Sequence, residues 1–208
     1  MTQKTLDAIT ESRVVAIVRE GTADAAKREV DRLIDAGVRA IEVSLSTPRA
    51  LEIARWMAGV KDECQHFGVG TVLTPRDVEE AADAGASFIV SPISRAGLIS
   101  TSRSLGLVSI VGAMTPTECV VAWDAGADFL KLFPANMWTF EALKGLLQAL
   151  PSLRLVPTGG ITLLTASAWL DAGAVAVGMG SALRATGPVG ELREAVRSLA
   201  TVDRTDAQ

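Results

Sequence analysis

The chain has 208 residues and a mass of 21.8 kDa, enough for one compact domain with a substantial core but short for two. Hydrophobic residues make up 49%, charged residues 21%, and the net charge is −4. The lysines and arginines are scattered, so nothing indicates nucleic-acid binding. The first residues lack the apolar core of a signal peptide, and no apolar run approaches the roughly 20 residues that span a bilayer.

Cysteine and histidine usage narrows the chemistry. Cys64 and Cys119 are isolated in the sequence, which predicts reduced thiols and a cytoplasmic protein. Because His66 is the only histidine, a site built from several histidines is excluded. His66 lies in a polar stretch, KDECQHF, which predicts a surface position.

Short apolar runs rich in β-branched residues predict eight buried parallel strands. They are Val14–Val18, Ala40–Leu45, Phe67–Gly70, Phe88–Ser91, Val108–Val111, Phe129–Phe133, Arg154–Pro157 and Val175–Gly178. Segments with helical spacing lie between them, for example Asp24–Ala36, Arg49–Ala58, Pro75–Ala84 and Thr117–Ala125. Eight strands alternating with eight helices predict an α/β fold with right-handed crossovers.

The tripeptide Asp-Ala-Gly occurs four times, each time just before an apolar run. The copies are Asp35–Gly37, Asp83–Gly85, Asp124–Gly126 and Asp171–Gly173. Glycine just after a helix accepts the left-handed conformation that ends it, so each copy predicts a helix end before strands two, four, six and eight. Successive copies are thus two βα units apart, which favours a (β/α)8 TIM barrel. We expect this barrel to be a single domain that spans residues 1–208. A short N-terminal helix and a frayed tail at Thr201–Gln208 complete the prediction.

In such a barrel the functional face is formed by the loops at the carboxyl ends of the strands. At the end of strand one, Arg19 could pair with a substrate carboxylate through its fork of donors. Glu42 places a carboxylate inside buried strand two, where it needs a partner. Thr71 and Pro92 follow strands three and four. For Arg19 and Thr71 an ordinary loop position is the alternative, and Pro92 is also explained as a strand end.

Lys131 lies in the middle of the apolar strand six, in the sequence DFLKLFP. Burial of an unpaired ammonium is costly, and a lowered pKa leaves a neutral amine that can attack a carbonyl. The other four lysines, Lys4, Lys27, Lys61 and Lys144, have polar or amphipathic surroundings. Glu42 is the natural partner of Lys131, as a proton shuttle. The alternative is that the two form a structural ion pair.

Glycine-rich segments follow strands seven and eight: Thr158-Gly159-Gly160 and Gly178-Met-Gly180-Ser181. Small residues there let backbone N–H groups approach an anion, and phosphate sites after strands seven and eight are common in such barrels. These segments predict a phosphorylated ligand without naming the reaction.

Together these segments resemble the bacterial 2-keto-3-deoxy-6-phosphogluconate (KDPG) / 4-hydroxy-2-oxoglutarate (KHG) aldolases, which are class I aldolases. The resemblance runs from about Val14 to Leu183. It rests on IEVSLSTP, GTVL, VSP, KLFP, PTGGI and GMGS, all in the same order as in the family.

The resemblance implies a role for each matching residue. Lys131 would be the Schiff-base lysine and Glu42 the acid/base group, acting through a bound water. Residues around the pyruvate portion would be Thr71, Pro92, Phe133 and Thr158, and those at the phosphate would be Gly159, Gly160, Gly180 and Ser181. It also implies a homotrimer, a phosphorylated 2-keto acid as substrate, and no metal or other cofactor.

One position departs from the pattern, because many members have a carboxylate-binding arginine where this chain has Ser46. Arg19 is the expected substitute, as in the Gram-positive-like branch and in the 2-keto-3-deoxy-6-phosphogalactonate (KDPGal) aldolases. KDPG is the first substrate expected, with KDPGal and unphosphorylated KHG as alternatives. Two other classes remain open at this point: a phosphate-binding barrel isomerase, epimerase or decarboxylase, and a barrel that binds a metabolite without catalysis.

Overall fold

The computed structural model describes residues 2–60 and 64–201, and parallel strands dominate its centre. The strands are β1 Val14–Val18, β2 Ala40–Ser44, β3 His66–Gly70, β4 Phe88–Val90, β5 Val108–Ala113, β6 Phe129–Leu132, β7 Leu155–Pro157 and β8 Val177–Met179. The α-helices of this part are α1 Thr2–Ser12, α2 Ala23–Asp35, α3 Ala50–Val60, α4 Pro75–Asp83, α5 Ala96–Ser104, α6 Pro116–Asp124, α7 Phe140–Ala149, α8 Leu163–Asp171, α9 Ser181–Ala185 and α10 Val189–Ala200. A 3-10 turn covers Ala135–Met137.

The strands form one sheet in the order β7-β6-β5-β4-β3-β2-β1-β8, with parallel pairing throughout. A parallel bridge between Thr158 and Gly178 joins the two edge strands, and the Val175 N–H donates to the Leu155 carbonyl at 3.0 Å. The sheet therefore curls into a barrel with helices outside. This confirms the predicted (β/α)8 fold.

The Asp-Ala-Gly tripeptides end helices as predicted. After α2, Gly37 has φ 84°, and its N–H donates to the Ile34 carbonyl at 2.8 Å. The Val38 N–H donates to the Leu33 carbonyl at 3.0 Å, which completes a Schellman motif. Gly85, Gly126 and Gly173 repeat the pattern, with φ of 81°, 93° and 105°.

Two apolar cores flank the barrel wall. The larger one lies between the strands and the surrounding helices. The smaller one fills the barrel interior with inward side chains such as Phe88, Ile110 and Phe129, and Ile9 of α1 packs among them. Helix α1 thus covers the amino-terminal end of the barrel, which leaves the carboxyl end for a ligand.

The prediction of a surface position for His66 is wrong. Strand β3 begins at this residue, one position earlier than its apolar run, and the side chain is 8% exposed. Its Nδ1 is hydrogen-bonded to the Thr5 hydroxyl of α1 at 2.9 Å. The polar neighbours of His66 in sequence gave no sign that α1 would fold across this end of the barrel.

Other differences lie near the carboxyl terminus. Strand β8 begins at Val177, two residues later than predicted, and two helices, α9 and α10, follow it. Of the tail predicted to fray, only Thr201 is within the described residues, where it caps α10; residues 202–208 lie outside them. In the described segments no helix is long and apolar enough to cross a membrane.

Candidate active site

A cleft of about 310 Å³ opens at the carboxyl ends of the strands, around Lys131. Its lining includes ten of the eleven residues expected at a site: Arg19, Thr71, Pro92, Lys131, Phe133, Thr158, Gly159, Gly160, Gly180 and Ser181. The eleventh, Glu42, lies on β2 beneath the cleft and is 2% exposed. Residues that are far apart in the sequence are thus gathered at one end of the barrel.

Lys131 and Glu42 are buried ionisable groups on different strands of the barrel. Lys131 is 6% exposed, and its Nζ lies 4.9 Å from the centre of the Phe133 ring. Glu42 has a buried Oε2 that accepts no hydrogen bond from residues 2–60 or 64–201. An unsatisfied buried carboxylate oxygen is unusual in a folded protein and is a candidate acceptor for a ligand's proton.

A glycine makes room for this carboxylate. A Cβ added at Gly70, the last residue of β3, would overlap both carboxylate oxygens of Glu42. Strands β2 and β3 are paired in parallel, with Ser44 opposite Gly70. The absence of a side chain at Gly70 therefore lets Glu42 occupy the barrel interior.

Burial and mutual attraction set the charge states of the pair. Burial lowers the pKa of Lys131, and Arg19 lowers it further, while Glu42 opposes both effects. Burial likewise raises the pKa of Glu42, against the attraction of Lys131 and Arg19. Desolvation is the largest cause for both groups, so each is shifted toward its neutral form. A neutral amine is the form that attacks a carbonyl.

Three hydroxyl groups form a chain beside the pair. Ser44 is fully buried on β2, and its hydroxyl bonds to the hydroxyl of Thr71 at 2.7 Å and to that of Ser46 at 2.8 Å. Thr71 has φ 63°, a left-handed backbone that is strained for a β-branched residue. The hydrogen bond between Ser44 and Thr71 fixes the Thr71 hydroxyl at the cleft wall, and Ser46 is hydrogen-bonded to the same Ser44 hydroxyl.

The glycine-rich loops after β7 and β8 also line the cleft. Gly159 and Gly160 have φ of 102° and 77°, a conformation that favours glycine. An added Cβ at Gly180 would lie 3.1 Å from the Ile17 carbonyl oxygen. This close approach of β1 to the end of β8 brings Ser181, the first residue of α9, to the cleft.

Arg19 follows β1 at the rim of the cleft, where it is exposed. The sequence reasoning missed three charged residues that also line the cleft: Glu20, Glu29 and Arg184. The Arg184 Nη1 donates to Glu20 Oε1 at 3.0 Å. Glu20 was detectable as the neighbour of Arg19, but Glu29 and Arg184 lie on helices in ordinary polar surroundings that carry no such signal.

Comparison with known proteins gives a consistent result along nearly the whole chain. The family model described as "Aldolase: KDPG and KHG aldolase" matches residues 6–193. The 2-dehydro-3-deoxy-6-phosphogalactonate aldolase of Escherichia coli K12 is 33% identical over 84% of this chain and 85% of its own length. A probable enzyme of the same name from Rhizobium meliloti is 34% identical over 95% and 93%. The 2-dehydro-3-deoxy-phosphogluconate aldolase of Zymomonas mobilis is 34% identical over 74% of each.

Solved structures agree with this similarity. A 2-keto-3-deoxy-6-phosphogluconate aldolase of Zymomonas mobilis ZM4, solved with 3-phosphoglycerate, has a TM-score of 0.83 at 28% identity and covers 97% of this chain and 98% of its own. A native KDPGal structure has a TM-score of 0.81 at 31% identity and covers 91% and 93%. The sequence match and the structural match therefore both include the residues that line the cleft.

Proposed function

This chain belongs to the KDPG and KHG aldolase family, whose members are carbon–carbon lyases, and we propose that it cleaves a 2-keto-3-deoxy-6-phospho sugar acid through a Schiff base on Lys131. The products are pyruvate and glyceraldehyde 3-phosphate. One observation carries the proposal: Lys131 is a buried lysine at the cleft, electrostatically coupled to a buried carboxylate that has an unsatisfied oxygen.

In the proposed reaction the neutral amine of Lys131 attacks the C2 ketone to give a carbinolamine. The protonated carboxyl of Glu42 gives its proton to the departing hydroxyl, so that water leaves and an iminium ion and the Glu42 carboxylate form. Glu42 then takes the proton of the C4 hydroxyl, through a bound water, as the C3–C4 bond breaks. The bond's electron pair moves into the iminium, which becomes an enamine, and the aldehyde leaves. Glu42 passes this proton to C3 of the enamine, and hydrolysis of the resulting iminium releases pyruvate, restores the neutral amine and returns a proton to Glu42.

Burial of the catalytic pair supports this scheme. The lowered pKa of Lys131 increases the fraction of neutral amine near neutral pH. The raised pKa of Glu42 makes its carboxylate a stronger base than an exposed one, as general-base catalysis requires.

We assign the binding roles by position in the cleft. Thr71, Pro92, Phe133 and Thr158 surround the keto-acid end, and exposed Arg19 pairs with the substrate carboxylate in place of the arginine absent at Ser46. Gly159, Gly160, Gly180 and Ser181 hold the phosphate. A ligand with phosphate at one end is consistent with the 3-phosphoglycerate found with the Zymomonas mobilis enzyme.

KDPG is the first substrate we propose, and KDPGal is the second. Two observations favour the second candidate: Ser46 replaces the usual arginine, and two relatives, which match 84% and 95% of this chain, are phosphogalactonate enzymes by name. Steady-state kcat/KM on KDPG, KDPGal and KHG, measured side by side, ranks them. We also propose that the protein is a homotrimer and acts in the cytoplasm.

Borohydride trapping tests the reaction itself. Incubation with pyruvate and borohydride should reduce the iminium to a stable secondary amine, located on Lys131 by peptide mass spectrometry. Lys131→Met should abolish both the adduct and turnover. Lys144→Met, at an exposed helical lysine, is the matched control and should retain both. A wild-type protein that turns over substrate without an adduct on Lys131 would refute the Schiff-base mechanism.

A further inference from the structure

An ion pair at the mouth of the cleft has no part in the chemistry proposed above. Arg184 lies on α9, three residues after Ser181, and donates from Nη1 to Glu20 Oε1 at 3.0 Å. Both residues line the cleft. The Arg184 side chain is 54% exposed and that of Glu20 is 15% exposed, so the pair sits between the interior and solvent.

The backbone that carries Arg184 is fixed from outside the cleft. Arg32 of α2 donates to the Leu183 carbonyl at 2.6 Å and to the Thr186 carbonyl at 3.4 Å. Glu29 in turn accepts two hydrogen bonds from Arg32, both at 2.9 Å. The carbonyls on both sides of Arg184 are therefore anchored to α2.

The head group of Arg184 is oriented by Glu20. The Glu20 N–H donates to the Thr47 hydroxyl at 3.2 Å, which ties the loop after β1 to the loop after β2. The ion pair engages only Nη1 of Arg184, whereas a guanidinium carries donors on all three nitrogens. Because Arg184 lines the cleft, the donors that Glu20 does not engage are left for an anion bound there.

We infer that Arg184 is a specificity-determining residue that binds the terminal phosphate monoester of the substrate, with Glu20 orienting its guanidinium and weakening its charge. Arginine binds phosphate through paired N–H donors, and pre-orientation reduces the entropy lost on binding. The assignment rests on the proposed function, because it takes the Gly180–Ser181 side of the cleft as the phosphate end.

Arg184→Ala should raise KM for the phosphorylated substrate about tenfold, the scale of a lost hydrogen bond between charged groups. The kcat should change little, because the contact is made equally in the ground and transition states. KM for unphosphorylated KHG should be unchanged. Arg184→Lys, which keeps the charge but loses the fork, should fall between Arg184→Ala and the wild type.

Glu20→Gln should act in the opposite direction. It keeps a hydrogen-bond acceptor for Arg184 but removes the competing negative charge, so KM for the phosphorylated substrate should fall about twofold. In the Arg184→Ala background, Glu20→Gln should have no such effect. If the ion pair only stabilised the fold, both variants would raise KM and lower the melting temperature together.

The control is Arg39→Ala, which removes another arginine–glutamate pair, formed with Glu11 at 2.6 Å near the amino-terminal end of the barrel. It should leave KM for every substrate unchanged. Equal KM changes in Arg184→Ala and Arg39→Ala, or an equal rise for KHG, would overturn the inference.

Glycerol 3-phosphate separates this inference from the proposed reaction, because it carries a phosphate monoester and no carbonyl to form an imine. Calorimetric titration should show that it binds the wild type and Lys131→Met alike, and Arg184→Ala about tenfold more weakly. Failure of borohydride trapping with this binding pattern intact would refute the Schiff base alone. Equal binding to wild type and Arg184→Ala would refute the role of Arg184 alone.

Discussion

Among individual residues, Lys131 and Glu42 are buried ionisable groups, and desolvation is the largest cause of the pKa shift of each. Each would be unfavourable in the apolar interior as an isolated ion, and each reduces the other's cost by attraction. Removal of one partner leaves the other without its counter-charge. The proposed catalytic pair therefore also affects stability, and a variant at one position should change the pH dependence of folding.

Lys131→Met should make stability strongly dependent on pH. Without the ammonium, the pKa of Glu42 rises further above its unfolded value of about 4.3. A carboxyl with a raised folded pKa stabilises the fold below its unfolded pKa, and this contribution is lost as pH rises through the folded pKa. The free energy of unfolding, measured with urea, should be slightly lower than that of the wild type at about pH 5 and about 3 kcal/mol lower at about pH 8.

The double variant Lys131→Met/Glu42→Gln is the control for this effect. It has no carboxylate at position 42, so its stability should follow the wild-type curve more closely at about pH 8 than the single variant does. A deficit of Lys131→Met that is the same at both pH values would mean that lost packing, not the Glu42 charge, explains it.

At the scale of single strands, β3 contains two glycines that make room for different side chains. A Cβ at Gly70 would overlap the Glu42 carboxylate, whereas one at Gly68 would overlap the Phe88 ring. Gly70→Ala should displace the carboxylate and lower kcat at least about tenfold, within the range that general acid–base groups contribute. The rate of pyruvate release per folded molecule gives this kcat, with folding checked by circular dichroism.

Gly68→Ala is the matched substitution two residues away on the same strand. Overpacking against Phe88 should cost about 1–3 kcal/mol of unfolding free energy. The kcat of the folded fraction should stay within about twofold of wild type, since the smaller inner core is the part disturbed. Equal kcat losses in both variants would show that Gly70 acts through general packing of β3.

Elements with strong local patterns could be predicted from the sequence. The Asp-Ala-Gly helix ends and the start of β1 at Val14 needed only apolar periodicity and glycine geometry. The burial of His66 depends on α1 crossing the barrel end, and the place of Arg184 depends on an anchor from α2. Such long-range contacts leave no local pattern to read.

Across the whole molecule, closure of the barrel depends on the contact between β7 and β8, the two edge strands of the sheet. Strands β1 to β7 pair over three or more residues with each neighbour, and β8 pairs likewise with β1. Strands β7 and β8 meet at the bridge between Thr158 and Gly178. A Cβ at Gly178 would overlap the Thr158 side chain, so the close approach at this bridge requires glycine.

Gly178→Ala should therefore open the barrel at this bridge. The added methyl group must push β7 and β8 apart, which should cost about 1–3 kcal/mol of unfolding free energy. Hydrogen exchange should speed up at the amides of β7 and β8 while β2 and β3 stay protected. Gly145→Ala, within α7 with nothing within 4 Å of its new Cβ, is the opposite control and should stabilise by about 0.5–1 kcal/mol. Uniform faster exchange across all strands would show instead that the barrel unfolds as one unit and that β7–β8 is not its weakest joint.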